Sequence, residues 1–171
     1  RDLTTAPLYL TNPEKARAVE QTFESITFSL KMDDDIEIQD RPKVKIYKFT
    51  DSKVQDFVTW AKKFRELAGH NNWAADYSLK MLNLVIDEQF LIRISDKRTF
   101  DTKLDALGEL IFTPNDYTTY LELLKRAQRR KFPDITGFIT FIRECRARAD
   151  LCNKNDKISE REVTDVVIRS L

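Results

Sequence analysis

Only three glycines and five prolines punctuate the 171 residues, so little forces this backbone to turn. Where breaks are so rare, the spacing of apolar side chains decides the structure, and here that spacing is mostly helical. Val54, Phe57, Val58, Ala61, Phe64 and Ala68 form one stripe, with Gly69 as the expected C-terminal stop. A second apolar stretch runs from Trp73 to Ile94 through Tyr77, Met81, Leu82, Val85 and Ile86. A third, from Phe100 to Phe112, carries Leu104, Leu107, Leu110 and Ile111.

The N-terminal quarter departs from this pattern. Asn12-Pro13-Glu14 signals a short helix, with a capping side chain and then proline at the first helical position. From Ile26 the period becomes two, with Ile26, Phe28, Leu30 and Met32 alternating with polar residues. Asp33-Asp34-Asp35 reads as a turn, and Ile36-Glu37-Ile38 and Val44-Lys45-Ile46-Tyr47 resume the alternation around Arg41-Pro42. Two or three strands are expected.

Thr113-Pro114-Asn115-Asp116 restarts the chain as a capped helix start. Tyr117, Tyr120, Leu121 and Leu124 follow at helical spacing, and Gln128 falls on that same apolar face. Asp134 after Pro133 opens another helix, with Ile135, Phe138, Ile139 and Ile142 on one side, the last three expected to share a core with Gln128. Gln128→Ala is therefore expected to damage folding or assembly more than Arg130→Ala. Ser159 and Glu162 form a capping box, with Ile158 and Val163 at the staple positions. The layout is an extension at 1–48 with a helix and hairpin-like strands, then helical bundles at 49–112 and 113–171.

A hydrophobic fraction of 42% and a charged fraction of 33% are those of a globular protein with a real apolar core. The net charge of +1 gives no global electrostatic case for nucleic acid or membrane. No apolar run is long enough to span a bilayer. Arg1-Asp2 rather than Met opens the chain, as in a piece of a longer precursor. Cys145 and Cys152, seven apart in a predicted helix, stand about 10 Å apart along it. A disulfide cannot close that gap, which points to inert thiols and a reducing compartment.

Catalysis needs convergent reactive groups, and none is legible. The one histidine, His70, lies beside a predicted helix end, and no second histidine could share a metal with it. No phosphate-cradling glycine loop, nucleophile motif or dinucleotide fingerprint occurs. Neither an enzymatic activity nor a cofactor is expected. The triple aspartate reads as a solvated turn rather than a cation site. Leu151 to Glu162 has an EF-hand cadence in Asn153, Asn155, Ile158 and Glu162. However, Leu151 stands where calcium needs aspartate and Asp156 where the turn needs glycine, so a polar loop before a capped helix is the better reading. Lys125, Arg126, Arg129, Arg130 and Lys131 concentrate positive charge and are candidates for RNA or phosphate contact. The plainer account is that cations gather where the helix dipole favours them, at a C-terminus.

The helical part resembles the capsid region of Gag proteins from gypsy-type long-terminal-repeat retrotransposons and retroviruses, and of domesticated relatives such as neuronal Arc. The likeness rests on order over residues 47–171: Tyr47-Lys48-Phe49, then VQDFVTWAKKFRELAG, Trp73 opening an apolar helix, Thr99-Phe100, and the Thr113-Pro114 link. YTTYLELLKRAQ, FPDITGFITFIRECRARA and EREVTDVVIRSL then resemble the C-terminal capsid domain. Gln128, Pro133, Asp134, Phe138, Phe141 and Arg143 resemble the major homology region, although no glycine follows Gln128 and the Phe-to-Arg spacing is not the retroviral one. The resemblance implies a mainly α fold of two small helical subdomains of retroviral-capsid type. It also implies a structural protein that forms homo-oligomeric rings and inter-ring dimers, in virus-like particles in the cytoplasm. RNA would bind through a zinc knuckle or basic tail outside this chain, which has no CCHC spacing. The alternatives are a domesticated adaptor binding peptides or partner proteins, and a helical nucleic-acid-binding module using Lys125 to Lys131.

Overall fold

Side-chain caps decide where most of the helices begin. The computed structural model describes residues 6–33 and 36–171, which are mainly helical with one two-stranded sheet. After a single turn, α1 (Leu8–Thr11), Asn12 accepts from the Lys15 amide at 3.3 Å and Pro13 opens α2 (Pro13–Glu20). Strands β1 (Ser25–Ser29) and β2 (Lys43–Tyr47) pair antiparallel, Ser25 opposite Tyr47 and Ser29 opposite Lys43. Asp56 caps α3 (Phe57–His70), and α4 (Ala75–Leu84) and α5 (Glu88–Leu91) follow. The Thr99 hydroxyl accepts from the Thr102 amide at 3.2 Å at the start of α6 (Phe100–Ile111).

The residues from Pro7 to Ile111 form one compact unit, so the expected N-terminal extension, from Pro7 on, shares it with the helices that follow. Its core is built from rings. Phe49, wholly buried, lies 5.3 Å from Trp60, 5.4 Å from Phe90 and 5.6 Å from Phe57. Phe64, equally buried, lies 6.0 Å from Trp73 and 5.9 Å from Phe100. Ile46, Leu82, Ile86, Leu104 and Leu107 fill the remaining space. Each such side chain contributes about 1.5–3 kcal/mol by leaving water.

Helix α3 also borders both edges of the hairpin. On β2, Trp60 Nε1 donates to the Tyr47 carbonyl at 2.8 Å and Lys63 Nζ to that of Lys45 at 2.9 Å. On the β1 side, the Asn71 amide donates to the Ser29 carbonyl at 3.1 Å and accepts from the Lys31 amide at 2.7 Å. His70 Nε2 donates to the Lys31 carbonyl at 3.0 Å, so this exposed histidine is tied to the hairpin. Buried Gln55 uses its whole amide. Its oxygen accepts from Thr50 and Asp51 at 2.7 and 3.1 Å, and its nitrogen donates to Lys48 and Glu20 at 3.0 and 3.1 Å.

Several expectations need correction in this unit. Helix α3 does not stop at Gly69, which lies inside it; Asn72, at φ 53°, takes the left-handed position. The Trp73 amide donates to Ala68 and that of Asn72 to Gly69, the paired bonds that close a helix around one left-handed residue. Asparagine tolerates that conformation, so the stop shifts three residues. Residues 36–38 form no strand; a 3₁₀ turn occupies Ile38–Asp40, and Ile38 is 65% exposed, with no core to reward alternation. Asp34 and Asp35 of the expected aspartate turn lie outside the described residues. The stretch from Trp73 to Ile94 breaks at Val85 and Ile86, where Phe49 donates to the Val85 carbonyl at 2.7 Å and accepts from the Asp87 amide at 2.9 Å. Val85 and Ile86 are wholly buried at that short parallel bridge.

The second compact unit takes in Phe112–Leu171. The Thr113 hydroxyl donates to the Asp116 carboxylate at 2.8 Å around a 3₁₀ turn, Pro114–Asp116, and α7 (Tyr117–Arg126) follows. Asp134 accepts from the Gly137 amide at 2.7 Å and caps α8 (Ile135–Cys152), while Ser159 accepts from Glu162 at 3.2 Å and caps α9 (Glu160–Ser170). Helix α8 packs against α7 with Phe138, Ile142, Cys145 and Ala149 wholly buried. The calcium-like stretch is a closed loop. The Ile158 amide donates to Asp150 at 2.9 Å, and Arg146 reaches the Ile158 carbonyl at 2.9 Å and Glu160 at 2.6 Å. Burial, then the carboxylates of Asp156, Glu162 and Asp150, holds the Tyr117 phenol above its usual pKa. Both cysteines are buried and neither is in a disulfide, and burial pushes the Cys145 thiol up to about 12, so it stays protonated and inert.

Candidate functional site

Helix α7 ends at Arg126 because the next two residues are extended, Ala127 at φ −61°, ψ 137° and Gln128 at φ −126°, ψ 126°. A separate 3₁₀ turn, Arg129–Lys131, follows before Pro133. The C-terminal end of α9 meets this bend, with the Ser170 hydroxyl donating to the Ala127 carbonyl at 3.0 Å. Between these segments lies a hollow of about 750 Å³. Lys125, Arg126, Arg129, Arg130, Lys131 and Arg169 line it.

The cations are not equivalent. Arg126 lies 3.9 Å from the Glu122 carboxylate one turn back. Arg129 Nη1 donates to the Phe132 carbonyl at 3.1 Å and helps to close the 3₁₀ turn. Arg130 Nε donates to the Gln128 side-chain oxygen at 3.0 Å. Lys125, Lys131 and Arg169 are exposed and have no ion pair among the described residues. Only Lys125 and Arg126 belong to the last turn of α7, so the helix dipole accounts for two of the five cations predicted together.

The residues resembling the major homology region do not converge as one cluster. Phe138 is wholly buried, and Phe132 packs its ring 5.6 Å from Phe138 and 5.3 Å from Phe141. Pro133 and Asp134 are exposed at the start of α8, and Arg143 is exposed with no hydrogen bond or ion pair among the described residues. Gln128 is exposed and does not share the core of Phe138 and Ile142. The reason is local: helical spacing no longer applies past Arg126, and Gln128 turns outward to Arg130. Phe132 and Arg169 were missed by sequence reasoning. An aromatic before Pro133 was a usable signal for the first, but nothing local brings Arg169 beside Ala127.

Among the described residues, no group of three or more His, Cys, Asp or Glu side chains could hold a metal ion, and no helix is long and apolar enough to cross a membrane. Comparison with protein-family models, with curated proteins and with solved structures found no match to this chain.

Proposed function

We propose that this chain is a structural, self-assembling capsid subunit of Gag type rather than an enzyme, and that copies of it enclose their own RNA in virus-like particles in the cytoplasm. The supporting observation is the division of the described chain into two compact, mainly helical units at the step from Ile111 to Phe112. The markers that carry the resemblance fall at helix starts within those units: Trp73 just before α4, Thr99 before α6, and Thr113-Pro114 before α7.

Shell assembly needs small contacts repeated by symmetry rather than one large interface. Apolar side chains are available for such contacts on each unit, with Ile92 66% and Leu84 50% exposed on the first and Ile168 65% exposed on the second. RNA would be held by a segment outside these residues. The test is electron microscopy and sedimentation of purified protein over rising concentration and a range of salt. Rings or closed shells are the expected result, and monomers under every condition would overturn the reading.

A further inference from the structure

We infer that the hollow where α7 and α9 end is a binding site for an oligophosphate, a short chain of phosphate groups either free or carried by a nucleotide. The inference does not depend on assembly, and its test reads binding alone.

Charge makes the first case. Six cations line the hollow, brought from the end of α7, from the turn at Arg129–Lys131 and from the end of α9. Two helix C-termini there contribute roughly half a negative charge each, so together they offset about one cation. Glu122 offsets one more through Arg126. With the terminal carboxylate of Leu171, which also lines the hollow, set against the cations, a surplus of roughly three positive charges remains, more than dipole compensation requires. At roughly −1 to −2 per phosphate group, two or three groups balance it.

Construction makes the second. The cations converge because the backbone is pinned: Ser170 holds Ala127, and Arg129 holds the carbonyl of Phe132. Arg130 and Arg169 supply planar forks suited to phosphate oxygens, while Lys125 and Lys131 supply point charges.

Shape makes the third and decides between ligands. About 750 Å³ lies in the range of small-molecule sites, whereas a strand of nucleic acid needs an extended groove. No aromatic ring lines the hollow on which bases could stack. Recognition therefore falls on the phosphates.

The experiment is calorimetric titration of the full chain at about 0.15 M salt with inorganic tripolyphosphate, ATP and a short oligouridylate. Tripolyphosphate and ATP should bind alike, and the double variant Arg130→Gln, Arg169→Gln should bind both about tenfold more weakly or worse. Both side chains are exposed, so the variant should keep its melting temperature. The control pair Lys62→Gln, Arg65→Gln, exposed on α3, should bind as the parent does. Four outcomes overturn the site: no tripolyphosphate binding, an equal loss in the control pair, ATP binding without tripolyphosphate binding, or oligouridylate binding more tightly per phosphate than tripolyphosphate.

Discussion

The two units of this chain are both small and mainly helical, yet they are held together by different means. In Pro7–Ile111 the core is a network of rings, with Phe49, Trp60, Phe64 and Trp73 each touching several others. In Phe112–Leu171 the helix α8 offers a face containing Cys145, Ala149 and Cys152, all small and buried. Rings carry large apolar area and prefer set geometries, whereas small side chains let helices approach closely. The first unit satisfies irregular backbone with side-chain amides and an indole, whereas the second does so with the guanidinium groups of Arg129 and Arg146, the Asp150 carboxylate and the Ser170 hydroxyl.

The largest expected effect tests the ring network directly. Phe64→Ala and Phe138→Ala each empty a wholly buried site, at about 3–5 kcal/mol. Phe64 faces three rings and Phe138 one other ring, so Phe64→Ala should cost about 1 kcal/mol more. Both tryptophans lie in the first unit, so their fluorescence in urea reports Phe64→Ala, while amide exchange in α8 reports Phe138→Ala. Equal costs would remove the ring network as the distinction. Next is Gln55→Ala, which strands the amides of Thr50 and Asp51, while the Lys48 carbonyl keeps the Thr50 hydroxyl, and should cost about 2–3 kcal/mol by the same fluorescence. A loss below 1 kcal/mol, on the order of one ordinary hydrogen bond, would mean that water replaces the amide freely.

The second unit has the sharper dependence on pH. Cys145 is raised from 9.0 to about 12 by burial. Below the unfolded value both states hold the proton and nothing changes. Between that value and the folded one, only the unfolded chain releases it, so stability falls as pH rises. The slope should approach about 1.4 kcal/mol per pH unit above pH 9. Amide exchange in α8 between pH 8 and 10, corrected for intrinsic rates, should show this fall, and Cys145→Ala should flatten it. A smaller effect is expected for Asp134→Ala, which removes the α8 cap at a cost of about 1 kcal/mol in the melting curve. Smallest is Gln128→Ala, within about 0.5 kcal/mol of the parent, because its side chain meets solvent and Arg130 alone.

What was legible in the residues follows the same division between local and distant causes. Asn12, Asp134 and Ser159 were found as caps because the oxygen and the amide it accepts from lie three residues apart. The two strands were legible in their alternation, although the third candidate at 36–38 was not a strand. Gly69 and Gln128 misled for one reason: residue type and spacing suggest where a helix could end, but the backbone past His70 and Arg126 set the actual ends. The bridge from Phe49 to Ile86 and the arrival of Arg169 beside Ala127 depend on long-range packing, which no window of sequence displays. The basic cluster was visible in part; its completion into a hollow was not.

The carboxamide of Asn71 stands where a neighbouring strand would otherwise run, taking one donor and one acceptor from the border of β1. A hairpin whose margins are already occupied offers little template for another chain to extend the sheet. In the shell proposed above, neighbours would then be steered to meet through helices, and the route to amyloid-like stacking is narrowed at its starting point. Exchanging Asn71 for a residue without an amide would reopen that route before it disturbed the core.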